Sequence, residues 1–410
     1  MGRLWNHREF RRLWAGETVE WVTDGISALG IPTIAIKLFS AGPLQMGILT
    51  ALEYLGYPVL GLLAGVWVDR WRRKPVLIWT NIVQVIALAS IPAAFLVGVL
   101  SFYQLFLVTL VMSVTVVFFN MAYTAYLPTL IDHSDLVEGN SKLETSSSLA
   151  TVIGPSIAGA LIKMVGAAQS IAADALGTLI AAIAILSIRK PEPQSLHKAE
   201  RRFWHELREG ITSVSDNPSL RIILATTIIL NFGNYMYFAQ FYLFIYNELK
   251  LSYQAAGIVV AMGAAGAVIG AISAPTLFKR LGVGPSLIFA LLINGVGRLM
   301  IPTSTYGSTP IFFQLFWLFA SIGIPIYNID QVSFRQAIVS DEFQGRMNAT
   351  MRTFGYGGLV LGALIGGVLG TTYGIIPTMT IGAIITLTPI PLFRLERIGR
   401  THASERTLTG

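Results

Sequence analysis

Glu17, Glu20 and Asp24 follow one another at spacings of three and four in a stretch otherwise rich in apolar residues. That spacing puts three carboxylates on one face of a helix. Glu53 stands in a second such stretch. At the helical rise per residue, Asp24 lies about 16 Å and Glu53 about 14 Å inside their apolar runs, near the middle of a bilayer. An ionisable side chain at such a depth costs about 2.5–3.5 kcal/mol on insertion scales, so each needs a partner, water or a function. Carboxylates gathered in a low dielectric can take up and release protons or hold a cation. Asp24 and Glu53, with Glu20, are expected to do one or the other. Glu17 lies nearest the end of its run, where an interfacial position is the simpler reading.

Other polar residues lie within apolar runs. Asn231, Asn234, Tyr235 and Gln240 fall in one run whose mixture of amides and aromatics suits a cavity wall for a large amphipathic compound, and Tyr54 and Tyr57 are placed opposite it. Arg298 is the only Arg deep in a run, about 21 Å from its inner end. It reads as a ligand for an anionic substrate, as a carboxylate counter-ion, or as a side chain snorkelling outward. Asp330 near Arg335 reads as an ion pair at an inner gate, and Asp174 as a cap or brace of its helix. Gly154, Pro155 and Gly159 permit close helix approach and a kink.

The elements that must hold these residues follow from composition. Of 410 residues, 53% are hydrophobic and only 12% are charged, against about 25% charged in soluble domains. That excludes an ordinary soluble enzyme, a disordered chain and a nucleic-acid module, and the absence of Cys excludes a disulfide scaffold. Twelve apolar runs emerge, at 13–39, 44–68, 75–98, 102–128, 143–165, 168–188, 219–247, 253–278, 284–303, 309–332, 349–371 and 374–395. Lys and Arg crowd the loops of one side, including Arg70, Arg73 and Lys74, so the net charge of +7 is a topology signal. The positive-inside rule places both termini in the cytoplasm.

The expected fold is all-α and polytopic, with about twelve transmembrane helices in two pseudo-symmetric six-helix bundles. These comprise residues 1–188 and 218–396, with a linker over 189–217 and a tail over 397–410. Within the linker, Phe203, Trp204, Leu207, Ile211 and Val214 recur at helical spacing, predicting an amphipathic helix at the inner surface. The halves echo one another. Ser134-Asp135 through Gly139 matches Ser340-Asp341 through Gly345, and each half carries the tetrad Gly-Ala-Leu-Ile, at Gly159 and at Gly362. A parallel repeat places a shared site at its midplane.

Several motifs resemble those of a known family. Gly65-Val66-Trp67-Val68-Asp69-Arg70-Trp71-Arg72-Arg73-Lys74 resembles the signature loop of the major facilitator superfamily, with Arg72 where a second glycine is usual. Gly154-Pro155 and Gly159 are similar to the antiporter motif of its drug exporters. Asn6…Phe10-Arg11-Arg12-Leu13-Trp14-Ala15-Gly16, Asp174-Ala175-Leu176 and Leu207-Arg208-Glu209-Gly210 resemble its macrolide-efflux and enterobactin-exporter branch. The resemblance implies a secondary transporter with alternating access, most often a proton-driven exporter. It also implies a cytoplasmic gate built from Gly65, Asp69, Arg70, Arg73 and Lys74, joined by Asp330 and Arg335. The expected partners are a small-molecule substrate, protons and the bilayer, with no nucleic acid and a monomer as the working unit.

Two further transport readings stay open, lipid or lysolipid flipping and siderophore or metal export. A different class is a membrane enzyme acting on lipid-linked substrates, for which Asp132-His133-Ser134-Asp135 is the one candidate cluster. All five His lie in predicted loops or tails, and no GxxxxGK[ST], HExxH or GxSxG sequence occurs. No cofactor, catalytic residue or metal site is expected.

Overall fold

A computed structural model describes Leu4 and residues 7–132, 135–192, 211–302 and 310–395. The predicted positions Phe203, Trp204 and Leu207, the pair His133-Ser134 and the tail lie outside the described residues, as does the side chain of Asp69. Among the described residues there are helices and no strand. The helices are α1 (Arg8–Lys37), α2 (Pro43–Tyr54), α3 (Gly56–Arg70), α4 (Arg73–Val97), α5 (Phe102–Leu130), α6 (Leu136–Val165) and α7 (Ala167–Ser187). After the linker come α8 (Pro218–Leu243, prolonged by a π turn over Phe244–Glu248), α9 (Tyr253–Leu281), α10 (Val283–Met300), α11 (Pro310–Ile338), α12 (Asp341–Tyr373), α13 (Ile375–Leu387) and α14 (Ile390–Leu395).

Among the described residues, ten helical stretches are long and apolar enough to cross a bilayer. The α1 helix and the α2–α3 pair supply the other two of the twelve expected runs. The acids of α1 lower its hydropathy, and the second run is broken into two short pieces at Leu55. At that break the Gly56 amide donates to Ser113 Oγ on α5 at 2.9 Å, so the backbone group released by the break keeps a partner.

Local chemistry sets the ends. Gly98 closes α4 in the left-handed region at φ 78°, a conformation that favours glycine. Ser101 caps α5 by accepting from the Gln104 amide. Asn217 caps α8 by accepting from the amides of Ser219 and Leu220, with Pro218 at the first helical position.

The chain divides into two compact units. The first holds Met1–Gly42, Leu52–Glu200 and Leu251–Ala261, and the second holds Pro43–Ala51, Arg201–Lys250 and Met262–Gly410. In these units the starts of α2 and α9 each group with the other half of the chain. Small residues explain both departures. A Cβ on Gly47 would stand 2.6 Å from the Ala363 carbonyl of α12, and one on Gly257 would stand 3.1 Å from Gly159 Cα of α6. With no hydrophobic drive between helices in lipid, such backbone approaches supply much of the packing. One core cluster in the first unit joins Leu4, Phe10 and Leu13 to Tyr126, Leu130, Ile131 and Leu143.

Candidate functional site: a carboxylate group in the first unit

The α1 and α7 helices pack side by side so tightly that a Cβ on Gly177 would collide with the Thr23 side chain. That approach brings Asp174 of α7 to the acidic face of α1. Glu17 and Asp174 are each only 1% exposed. Both Glu17 carboxylate oxygens, Glu20 Oε2 and Asp174 Oδ2 are buried without a hydrogen-bond partner. Glu20 lies in the field of Glu17, Asp24 and Asp174, and Asp24 also acts on Asp174 and on Glu53. Tyr123 of α5 adds a buried, unpartnered hydroxyl in the field of Glu17 and Glu20. Among the described residues no Lys, Arg or His pairs with any of these five acids.

Two placements depart from the sequence reading. Glu17, expected near the end of its run with an open face, is buried in the protein, with Tyr123 of α5 in its field. Asp174 is no cap: it lies on the second turn of α7 and joins the acids. Its signal in the sequence is an unpaired Asp inside an apolar run, but only the tertiary packing of α7 against α1 reveals its company. Asp24 and Glu53 are both exposed, so the group runs from a covered end at Glu17 to an open end. Tyr54, beside the helix break, lies within hydrogen-bonding reach of Glu53, and Tyr57 accepts a bond from Asn120 Nδ2 at 2.8 Å.

The polar residues assigned to a cavity wall in the second unit are used differently. Gln240 is fully buried and donates through Nε2 to the Gly366 carbonyl at 3.0 Å. Asn231 likewise donates to the Gly355 carbonyl at 3.0 Å. Both tie α8 to α12, and Gln240 is a packing residue with no open surface. Asn234 is buried with Oδ1 unpartnered, and Tyr235 is half-buried. Arg298 is buried in the protein and, among the described residues, meets no carboxylate. Its guanidinium is buried between rings, 4.7 Å from the Tyr237 centroid and 5.3 Å from that of Trp317.

The expected gate is also rearranged. The Asp330–Arg335 pair does not form: Asp330 accepts from Ser286 of α10, and among the described residues Arg335 has no acidic partner. Five residues along a helix turn the second side chain about 140° away from the first. Arg73 and Lys74 instead bind Glu192, beyond the end of α7. The Arg73 and Lys74 amides donate to it at 2.8 and 3.2 Å, and the Arg73 guanidinium lies 3.3 Å away. Lys74 Nζ also donates to the Leu186 and Ile188 carbonyls. Beside this knot, Glu9 pairs with Arg12 at 3.1 Å and accepts from the Arg189 amide. Gly65 has open space around it, and Arg70 lines a surface groove with Trp71, Trp79 and Phe118.

In the motif on α6, Gly154 faces α1, where a Cβ would stand 2.9 Å from the Val22 carbonyl, and Gly159 faces α9. Pro155 lies inside the helix between them. One group with the donor types of a metal site does exist: His7, Asp132 and Asp135 converge at the end of the first unit that bears the basic loops. The expectation of no metal site rests on all five His lying in predicted loops or tails, and this group lies at such a loop.

Comparison with known proteins gives a consistent family. A family model described as Major Facilitator Superfamily matches residues 13–341. Macrolide efflux protein A of Streptococcus pyogenes is 24% identical over 345 residues, covering 83% of this chain and 84% of that one. The enterobactin exporter EntS of Salmonella typhi is 25% identical, covering 90% and 87%. A solved bacterial homologue of the iron transporter ferroportin superposes with a TM-score of 0.78 at 18% identity, over 96% of this chain and 98% of that one; at that identity the likeness is one of fold.

Proposed function

From the premise that this chain belongs to the Major Facilitator Superfamily, and is a membrane transporter with efflux-type relatives, we propose that it exports an amphipathic small molecule in exchange for protons. The reading includes alternating access, a monomeric working unit, the inner membrane and cytoplasmic termini. It rests on one observation above all, the group Glu17, Glu20, Asp24 and Asp174. Within it both Glu17 oxygens, one of Glu20 and one of Asp174 are buried without a hydrogen-bond partner, while Asp174 also meets Ser27 and Thr23, and a carboxylate so enclosed is costly. A bound proton or cation offsets that cost, and its arrival and departure is what coupling requires. Asp24 and Glu53, at the open end, are the assigned points of entry; Glu20, Glu17 and Asp174 extend the group inward. Tyr235 of α8, half-buried, keeps its assignment to the substrate wall.

The test is export by purified protein in liposomes under an imposed pH gradient. Asp24→Asn should abolish proton-driven export while leaving folding and detergent stability intact. Undiminished pH-driven export by that variant would remove Asp24 from the mechanism. A second reading has the carboxylates hold a cationic substrate directly, and the lack of any basic partner among the described residues favours it. It predicts that Asp24→Asn loses binding of cationic compounds while neutral ones still bind.

A further inference from the structure

His7, Asp132 and Asp135 each place one ligand atom within 4.8 Å of the others. They stand apart from the carboxylate group: His7 precedes Glu17 by about 15 Å of helix rise. His7 is the residue before α1 and Asp135 the residue before α6, and neither side chain caps its helix. An Asp in that position ordinarily accepts from the first-turn amides. Asp135 does not, although it is more than nine-tenths buried and its Oδ2 has no hydrogen-bond partner.

The three side chains are held in place by features that need no ligand. The Asp135 amide donates to the Asp132 carbonyl at 2.9 Å, closing the turn that carries both carboxylates. Leu4 and Phe10, three residues to either side of His7, are fully buried in one cluster with Leu130, Ile131 and Leu143. Leu130 and Ile131 lead into the turn, and Leu143 lies on the helix that follows it. Packing of Leu4 and Phe10 therefore anchors the chain that carries His7 close to the carboxylates, which lowers the ordering cost of binding. His7 is half-buried and Asp132 exposed, so one side of the trio stays open to solvent.

One imidazole nitrogen and two carboxylate oxygens form a donor set suited to divalent first-row metals, with water in the remaining positions. Two carboxylates supply the charge that such an ion neutralises. We propose that His7, Asp132 and Asp135 bind a divalent transition-metal ion, which staples the start of α1 to the turn between α5 and α6. The ion is neither cargo nor coupling ion, and the site stands independently of the export reading.

The experiment uses the full chain in detergent, stripped with chelator and titrated with Mn2+ followed by electron paramagnetic resonance. One ion per chain should bind saturably, its pulsed spectrum should show coupling to a single imidazole nitrogen, and the melting temperature should rise with metal. His7→Gln, Asp132→Asn and Asp135→Asn should each weaken binding about tenfold or more. Absence of saturable binding at millimolar Mn2+, or a spectrum lacking nitrogen coupling, overturns the proposal. So does binding that all three variants retain and Asp24→Asn abolishes. The wild-type spectrum decides the matter even where a variant fails to fold.

Discussion

Glu192 holds Arg73 twice, through the main-chain amide at 2.8 Å and the guanidinium at 3.3 Å. The carboxylate thereby serves as a borrowed cap for α4, whose own preceding residue, Arg72, offers none. Replacing it uncovers two amides at a helix N-terminus and a half-buried cation. Glu192→Ala should cost about 1–2 kcal/mol, and Glu192→Gln, which still accepts from the amides, should cost less. Thermal unfolding in detergent reads both, and equal stability of all three proteins would refute the cap.

Asp174 offers a sharper test of the carboxylate group than the acids of α1, because nothing in the family resemblance assigned it to coupling. Asp174→Asn keeps shape and removes charge. It should slow pH-driven export by about a hundredfold, the low end for a positioned proton-transfer group, with no loss of thermal stability. Wild-type export would return Asp174 to a bracing role.

Gln240 separates packing from lining. Gln240→Leu removes the tie to Gly366 and should cost about 0.6–1.7 kcal/mol, the range for hydrogen bonds between membrane helices. The KM for export should stay unchanged because the residue is fully buried. A KM shift without a stability loss would restore it to the cavity wall.

Gly154 leaves room for the Val22 carbonyl and nothing more. Gly154→Val should destabilise by about 1–3 kcal/mol through overpacking, and Gly154→Ala by less, with faster passive proton entry into liposomes. If both variants are as stable and as tight to protons as the parent, the α1–α6 contact is not needed as a seal.

What the sequence made legible was whatever depends on one helix at a time. The spacing of Glu17, Glu20 and Asp24 fixes a shared face, and hydropathy finds the runs, including the one that the structure breaks at Leu55. What stayed hidden depends on which neighbour covers a face. Asp174 looked solitary because its partners lie on α1. Gln240 and Asn231 looked like a cavity wall because an amide in an apolar run reads the same whether it meets a substrate or a carbonyl of α12. His7 reads as a loop residue, and no spacing along the chain relates it to Asp132 and Asp135. Asp330 and Arg335 misled for the opposite reason: nearness along the chain was taken for nearness in space.

The interruption at Leu55 falls just beyond Ala51, where membership passes from the second unit back to the first. The main chain still bonds across the interruption, from the Leu55 amide to the Leu52 carbonyl and from the Val59 amide to the Leu55 carbonyl. The buried Gly56 amide is the group that depends on a side chain for its acceptor. A substitution of Ser113 by alanine would leave that amide bare and penalise the break itself.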